Sequence, residues 1–555
     1  MDRRGFLSSG KKKATIAASQ RYLATGLTPY NGPWTNNEVS HLVKRTMFGA
    51  RKADIDYFAG KSISQAVDEL LNPTQPIPAP PLKTYVNDNI PTTDPEYTVA
   101  QGATWVATYT NDGTAQSRRR GSFRSWWMGV MINQDRSLRE KMTLFWHNHF
   151  ATEANDVGNA MYVFRHHDML RKNALGNFKT LVREITLDPG MLVYLNGQLN
   201  TKTAPDENYG RELQELFTLG KENNPNYTED DVKAAARVLT GWRNDGPNNK
   251  SYFDPNRHDI GNKTFSPFFG NTIITGRTGA TAGDLELDDL VNMIFGKNLE
   301  VSRFIVKKIY RWFVYYQIDS TTIQNVIDPL AKILRDNNWD IKPVLSTLLK
   351  SEHFFDIQNQ GCQIKSPVDF AVGLCREFSL ILPDATDLVA QYNHWNNIRN
   401  TASNLQQSIG DPPDVSGWKA YYQEPSFYEI WINSDTYPKR NQFTDQILYN
   451  GFTINGKKAV IDSVGFTKTL SNPSDPNMLI IDALSLLYRI SLTQATRDQI
   501  KKDLLLTGQS QDYYWTNAWA AHLSNPSDTM AFNTVNDRLK GLYKYLMNLA
   551  EYHLA

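Results

Sequence analysis

Helix start signals recur along the chain and constrain its fold more than any other feature of the sequence. In a capping box, the Ser or Thr before a helix and the Glu or Gln three residues later satisfy each other's backbone amides. Pairs with this spacing, the last with Asp in place of Glu, precede apolar residues at helical intervals: Thr35 and Glu38, Ser62 and Gln65, Ser137 and Glu140, and Thr228 and Asp231. The sequence therefore predicts a mainly α protein, a large multi-helix composite.

One stretch interrupts the helical pattern. Residues 244–284 are rich in Asn, Gly, Asp and Thr, which favour turns, and they contain short β-like pieces such as 272–275. We interpret this stretch as an irregular insertion that adds a small β contribution to an otherwise helical fold.

A proline-rich run marks one boundary between units. Five prolines lie between positions 73 and 81, and proline favours an extended backbone. We therefore predict a small N-terminal helical unit over residues 31–82, which ends in this connector, and a large helical body over residues 83–555. No repeat of 20 to 50 residues is present, which argues against a solenoid.

Composition excludes several classes of protein. The chain has 555 residues, 12% of them aromatic, and a net charge of +1, so it is neither disordered nor generally attracted to nucleic acid. With only two cysteines, Cys362 and Cys375, it has no disulfide framework and no cysteine-rich zinc site. No stretch approaches the roughly 20 apolar residues of a transmembrane helix.

The first 30 residues allow two interpretations. Arg3-Arg4 followed by Phe6-Leu7 is similar to a twin-arginine export motif, which should lead into an apolar region. Here three lysines at positions 11–13 follow, and then only a short apolar run. The segment is either an export signal or a flexible basic tail of a cytoplasmic protein. We expect export, to the periplasm or the cell surface.

Several longer segments together resemble a known family. They are Leu144–Phe150, Asn173–Phe178, Asp206–Gly220, Tyr227–Val232, Leu239–Trp242, His258-Asp259 with Lys263, and Asp411–Trp418. In this order they resemble the bacterial domain-of-unknown-function 1800 family, from Thr35 onward. The chain departs from the family pattern at Asp206 and Gly210, where the pattern has Asn and Ala. The resemblance implies export, and a partner similar to the alkaline phosphatase and sulfatase superfamily, encoded by a neighbouring gene.

The segment 211–219 holds the most informative carboxylate. On a helix its leucines and phenylalanine form one apolar arc, and Glu212 falls inside that arc. Glu215 falls at the edge, four residues after Arg211, at the spacing of an ordinary ion pair. A carboxylate in an apolar face needs a partner, a proton or a metal. Glu212 is therefore either part of a buried structural salt bridge or a catalytic or ligand carboxylate.

Histidines supply the other candidate groups. His149 lies with Phe145 and Trp146 on the inward face of its helix, as either a hydrogen-bonded core residue or a functional one. His258-Asp259 lies in a polar loop, where functional residues are common, although such a pair also stabilises loops.

These residues lead to two hypotheses about function. The first is an envelope-associated enzyme with hydrolytic or transfer chemistry, whose catalytic residues are His149, Glu212, His258 and Asp259. A divalent metal held by His149, Glu212 and His258 is one option, since carboxylate and imidazole suit Zn, Mn or Fe. The alternative is a non-catalytic binding or assembly protein for an extracellular polymer or a protein partner, contacted through Trp418, Tyr421 and Tyr422.

Overall fold

The structure, a computed structural model, describes residues 25–221, 227–418 and 429–555. Two sequence-based predictions concern residues outside these ranges. The twin-arginine-like segment precedes the first range, and Tyr421 and Tyr422 fall between the second and the third.

The described ranges are mainly helical, so the predicted fold class is confirmed. In the first half of the chain the helices are α1 (Asn36–Thr46), α2 (Lys52–Ala59), α3 (Ile63–Leu71), α4 (Gly113–Ile132), α5 (Arg139–His149), α6 (Ala154–Val157), α7 (Ala160–Lys172), α8 (Phe178–Thr186), α9 (Pro189–Tyr194), α10 (Asn208–Glu212) and α11 (Glu229–Val238). A π-helical turn, Leu213–Thr218, continues α10.

The second half continues in the same way. Its helices are α12 (Ala282–Gly296), α13 (Asn298–Phe313), α14 (Ser320–Thr322), α15 (Asp328–Asp336), α16 (Ile341–Leu349), α17 (Glu352–Phe355), α18 (Pro367–Glu377), α19 (Leu388–Asn404), α20 (Thr436–Tyr449), α21 (Ser463–Lys468), α22 (Pro476–Leu487), α23 (Gln494–Ile500), α24 (Tyr513–Ser524) and α25 (Thr529–Asn548). Two further π-helical turns, Ile323–Ile327 and Lys501–Leu505, follow α14 and α23. In the part of the chain described, no helix is long and apolar enough to cross a bilayer.

Strands are short and lie mostly in the predicted insertion. There, β1 (Trp242–Asp245) pairs antiparallel with β2 (Lys250–Phe253), and β3 (Lys263–Thr264) pairs with β4 (Ile273–Ile274). One more antiparallel pair, β5 (Phe452–Ile454) with β6 (Lys457–Ala459), follows α20. The 244–284 region thus has the irregular character, with a small β contribution, that its composition predicts.

The capping boxes before α1, α3 and α11 are confirmed, but the one predicted at Ser137 is wrong. Helix α5 begins at Arg139 without a side-chain cap. Ser137 Oγ donates instead to Asp135 at 2.6 Å, and Glu140 accepts from the buried Arg171 at 2.6 Å. Both side chains of the box are engaged by other partners, which overrides the local signal.

Helices α4 and α19 pack closely because one residue at their contact has no side chain. A Cβ atom at Gly129 of α4 would lie 2.4 Å from the indole of Trp395 on α19. Gly121, two turns earlier on α4, has no such neighbour, since a Cβ there would meet nothing within 4 Å. The two glycines lie on the same helix, but only Gly129 is in a position without room for a side chain.

We predict that Gly129→Ala destabilises the protein and that Gly121→Ala does not. The added methyl at position 129 overpacks the core, which costs about 1–3 kcal/mol. At position 121 alanine favours the helix by up to about 1 kcal/mol. Urea unfolding of both variants beside the wild type measures the difference, and equal midpoints for the two variants would contradict this account of the α4–α19 contact.

Candidate functional site

Segments of the chain that are distant in sequence meet at the end of helix α5. The ring of His149 contacts the carbonyl of Phe217, 68 residues away, in the π-helical turn after α10. The backbone amide of Trp418 donates to Asn148 Oδ1 at 2.8 Å across 270 residues. Three of the segments behind the family resemblance therefore come together at one junction.

Gly417 allows the closest of these approaches. Its φ of +87° is in the left-handed region, and a Cβ atom there would lie 2.3 Å from the carbonyl oxygen of Asn148. Only glycine combines this conformation with this contact at low cost. The loop before Trp418 can thus lie directly against the end of α5.

A cavity of about 460 Å³ adjoins the junction. In the described part of its wall, aromatic and basic side chains predominate. The aromatic residues are Phe145, Phe304, Trp312, Trp418 and Trp431. The basic residues are Lys44, Arg45, Lys141, Lys221, Lys308, Arg311 and Lys365. Two carboxylate side chains, Glu215 and Asp369, are the acidic ones among the described wall residues.

The helix that borders this cavity widens before it ends. It is π-helical over Leu213–Thr218, and Gly220 follows with a φ of +81°, the left-handed conformation that commonly terminates helices. π-Helical turns occur frequently at functional sites. The wide turn presents its last carbonyl groups to α5 and α13.

His149 and Lys308 cap this helix end. The last carbonyls of a helix have no partner within the helix and must be satisfied from outside. Here His149 Nε2 donates to Phe217 O at 3.1 Å, and Lys308 Nζ donates to Leu216 O at 3.2 Å. A cation at a helix C-terminus is also favoured by the helix dipole.

The hydrogen bonds of His149 define its protonation state. Lys308 Nζ lies 3.0 Å from Nδ1, which must therefore accept, while Nε2 carries the proton given to Phe217 O. Burial first, and then the Lys308 charge, lower the pKa of His149 well below its usual value. The ring is neutral, and both nitrogens are already engaged. The interpretation of a hydrogen-bonded core histidine accounts for these contacts.

The predicted ion pair between Arg211 and Glu215 is wrong. Arg211 binds Glu229 at 2.6 Å and Glu207 at 3.2 Å instead. Glu215 pairs with Lys221 at 2.7 Å. The helix changes from α to π between Arg211 and Glu215, so the spacing of a regular α-helix no longer applies.

Glu212 is half-buried rather than fully buried, and its charge is disfavoured. Burial is the main cause that raises the pKa of its carboxyl to about 7, and the neighbouring charge of Glu215 adds to it. Arg211 and Lys221 oppose the shift, but neither forms an ion pair with Glu212. The carboxyl is thus poised to exchange a proton near neutral pH.

His258 and Asp259 belong to a different cluster. His258 Nε2 lies 3.0 Å from Glu286, which also binds Lys263 at 2.5 Å, and Nδ1 faces the carbonyl of Thr240 at 2.9 Å. Asp259 binds Arg237 at 2.7 Å. These buried or half-buried pairs tie the insertion to α11 and α12, as a loop-stabilising role requires.

The structure therefore does not gather His149, Glu212 and His258 into one site. Nδ1 of His149 is occupied by an ammonium group, and His258 has its own carboxylate partner. Within residues 25–221, 227–418 and 429–555, no group of three or more His, Cys, Asp or Glu side chains could hold a metal ion. The predicted three-residue ligand set is corrected accordingly.

Buried positive charge is the feature of the cavity that sequence reasoning missed. Lys44 Nζ lies 2.5 Å from Glu377, and Lys365 Nζ lies 3.6 Å from the same carboxylate oxygen. Burial is the main cause that lowers the pKa of Lys44 to about 7, against the attraction of Glu377. Arg45, also buried, donates to carbonyl groups and to Cys362 Sγ.

One signal in the sequence could have identified part of this wall. Phe304, Lys308 and Trp312 recur at intervals of four residues on α13, so they share one helix face. A lysine that lies between two aromatic residues on one helix face is expected to pack against them, whereas a lysine on a polar face is expected to point into solvent. No comparable local pattern marks Lys44 or Lys365.

We predict that Glu212→Gln stabilises the protein at pH 8 and has little effect at pH 4. The folded state holds the Glu212 proton more tightly than the unfolded state, so stability falls as pH rises from about 4.5 to about 7. Gln mimics the protonated form and removes this loss, on the order of 1 kcal/mol after solvent screening. Thermal unfolding of the variant and the wild type at pH 8 and pH 4 measures the difference in stability.

Glu215→Gln is the matched control for that experiment. It removes the pair with Lys221, whose side chain is 74% exposed, and should cost at most roughly 0.5 kcal/mol. A lower melting temperature of Glu212→Gln at pH 8 would mean that the charged form of Glu212 has a stabilising partner.

A known family model covers nearly the whole chain. A family model described as "Protein of unknown function (DUF1800)" matches residues 41–553. No curated protein and no solved structure matches the chain significantly. The match includes the described wall residues of the cavity except Ala555, and it confirms the resemblance inferred from the sequence. The chain belongs to the DUF1800 family.

Proposed function

We propose that the protein binds a small organic anion in the cavity beside His149. The observation that carries the proposal is the excess of buried positive charge in the wall. Four of the basic wall residues are at least nine-tenths buried: Lys44, Arg45, Lys141 and Lys365. Among the described residues, the carboxylates paired with these four are Glu377 and Asp369.

Burial makes this charge expensive unless an anion compensates it. A buried cation loses its hydration, and hydrogen bonds to neutral carbonyl groups restore only part of that free energy. An anionic ligand would neutralise the remaining positive charge, and its attraction to the cations would be strong because little water is present to screen it. The proposal thus explains why the cations lie at the edge of an open volume.

The size of the cavity and the residues of its wall support a proposal for the uncharged part of the ligand. A volume of about 460 Å³ is within the range of pockets for small molecules. Five aromatic rings in the wall suit a flat or apolar group, and basic side chains fix an anionic one. A cavity of this size favours a compact molecule over an extended polymer, the partner expected under the binding hypothesis.

We predict that benzoate or phenyl phosphate binds to the protein and that benzamide, which is uncharged, binds at least about tenfold more weakly. Leu216→Trp replaces an aliphatic side chain of the cavity wall by a bulkier indole ring, which should fill part of the cavity and abolish binding. Leu199→Trp, at a position that is 61% exposed, should bind as the wild type does. Isothermal titration calorimetry measures the affinity of the wild type and of both variants for each ligand.

The proposal fails if neither anion binds to the wild type. It also fails if benzamide binds as tightly as the anions, since charge would then contribute nothing. Binding that survives Leu216→Trp places the ligand outside this cavity.

An enzymatic role, with hydrolytic or transfer chemistry, is the second candidate. The observation that favours it is Glu212, whose carboxyl has a pKa of about 7 beside the cavity residue Glu215. A general acid or base works best when its pKa is near the working pH.

Screening against esters, phosphate esters and polysaccharides tests the enzymatic candidate. Any turnover found should fall by about 100-fold or more in Glu212→Gln. In Glu215→Gln the turnover should change far less, since that carboxylate is already paired with Lys221. Turnover that Glu212→Gln leaves unchanged would remove Glu212 from the mechanism.

A further inference from the structure

We infer that the ligand's anionic group, a carboxylate or a phosphate, binds in a subsite formed by Lys44, Arg45 and Lys365. The inference rests on the proposed function and adds to it the position and the chemistry of the charged group. All three side chains line the cavity, and each is at least nine-tenths buried.

Two ammonium groups of this subsite share one carboxylate. Lys44 and Lys365 both face Glu377, at 2.5 and 3.6 Å, and Tyr552 also donates to that carboxylate at 3.0 Å. A single negative charge with three donors cannot neutralise both lysines. The positive charge left over lies at the cavity wall.

Arg45 adds a buried guanidinium whose described hydrogen bonds go to backbone carbonyls and to Cys362 Sγ. It follows Lys44 on α1 and donates to the carbonyls of Asn359 at 2.9 Å and Val314 at 3.3 Å. None of its described contacts is to a carboxylate, and its buried Nε has no hydrogen-bond partner among the described residues. A guanidinium can bind carboxylate or phosphate oxygens through paired hydrogen bonds, and no described residue offers such a group to Arg45.

Two other basic residues of the wall, Lys141 and Lys221, are better compensated. Lys141 contacts Asp369, and Lys221 pairs with Glu215 at 2.7 Å, so each has a carboxylate of its own. The cations at the Lys44 end therefore have fewer carboxylates than Lys141 and Lys221 have. An oxyanion at this end would lie near three cationic side chains that line the same cavity.

A comparable cluster elsewhere in the protein shows that a shared carboxylate does not by itself define an anion site. Lys83 and Arg119 are buried and share Glu96, at 3.1 and 2.5 Å. Neither is among the described residues of the cavity wall. What distinguishes the Lys44 cluster is its contact with an open volume, and the Lys83 cluster provides a matched control.

The electrostatics of Lys44 support the same subsite. Burial is the main cause that lowers its pKa to about 7, the charges of Lys365 and Arg489 add to the shift, and Glu377 opposes it. An oxyanion beside Lys44 would raise that pKa, so binding near pH 8 should take up a proton. Affinity should therefore fall as pH rises above 7.

The experiment compares Lys365→Met with Lys83→Met by calorimetry, with benzoate, phenyl phosphate and inorganic phosphate as probes. Lys365→Met should weaken binding of the oxyanion that the wild type binds by about tenfold or more. Lys83→Met should leave the affinity unchanged. Lys365→Arg should restore part of the binding, and Lys44→Met serves if Lys365→Met does not fold.

The probes also distinguish the two oxyanions, because benzoate and phenyl phosphate share a ring and differ in the charged group. Wild-type affinity in both Lys365→Met and Lys44→Met, with binding still lost in Leu216→Trp, would overturn the subsite and leave the proposed function standing. Failure of the wild type to bind any probe would overturn both.

Discussion

The hydrogen bond from the His149 ring to the Phe217 carbonyl is the constraint on which the site depends. It satisfies a helix end that would otherwise be left open, and it holds α5 against the π-helical turn. Because Lys308 donates to the other ring nitrogen, the imidazole is neutral and has a single tautomer. One contact therefore fixes a ring, a helix end and the place of an ammonium group in the cavity wall.

Buried positive charge sets the energetic character of the same region. Replacing a buried charged cluster by apolar side chains is often neutral or stabilising, so such clusters are weak evidence for stability. Lys44, Arg45 and Lys365 are already desolvated and held by Glu377 and by backbone carbonyls. A ligand anion would meet donors that need no reorganisation, the condition under which electrostatic binding is most effective.

Local signals predicted the fold well, and tertiary contacts explain where they failed. Helix starts are encoded within four residues, so the boxes at Thr35 and Thr228 form as expected. Ser137 fails because Asp135 engages its hydroxyl. For the site, the sequence correctly placed His149 on a buried helix face. It contains no distance between loops, and so our prediction grouped His149 with His258. The true partner of His258 is Glu286, on a helix 28 residues further along.

Burial also moves an acid and a base near the cavity in opposite directions. It raises the pKa of Glu212 and lowers that of Lys44, each to about 7. The folded state therefore loses stability through Glu212 as pH rises from about 4.5 to about 7, and through Lys44 as pH falls from about 10.5 to about 7. An anion bound beside Lys44 would remove the second penalty and leave the first. The ligand-bound protein should then gain stability as pH falls from about 7 towards about 4.5, because Lys44 is charged there and Glu212 becomes protonated.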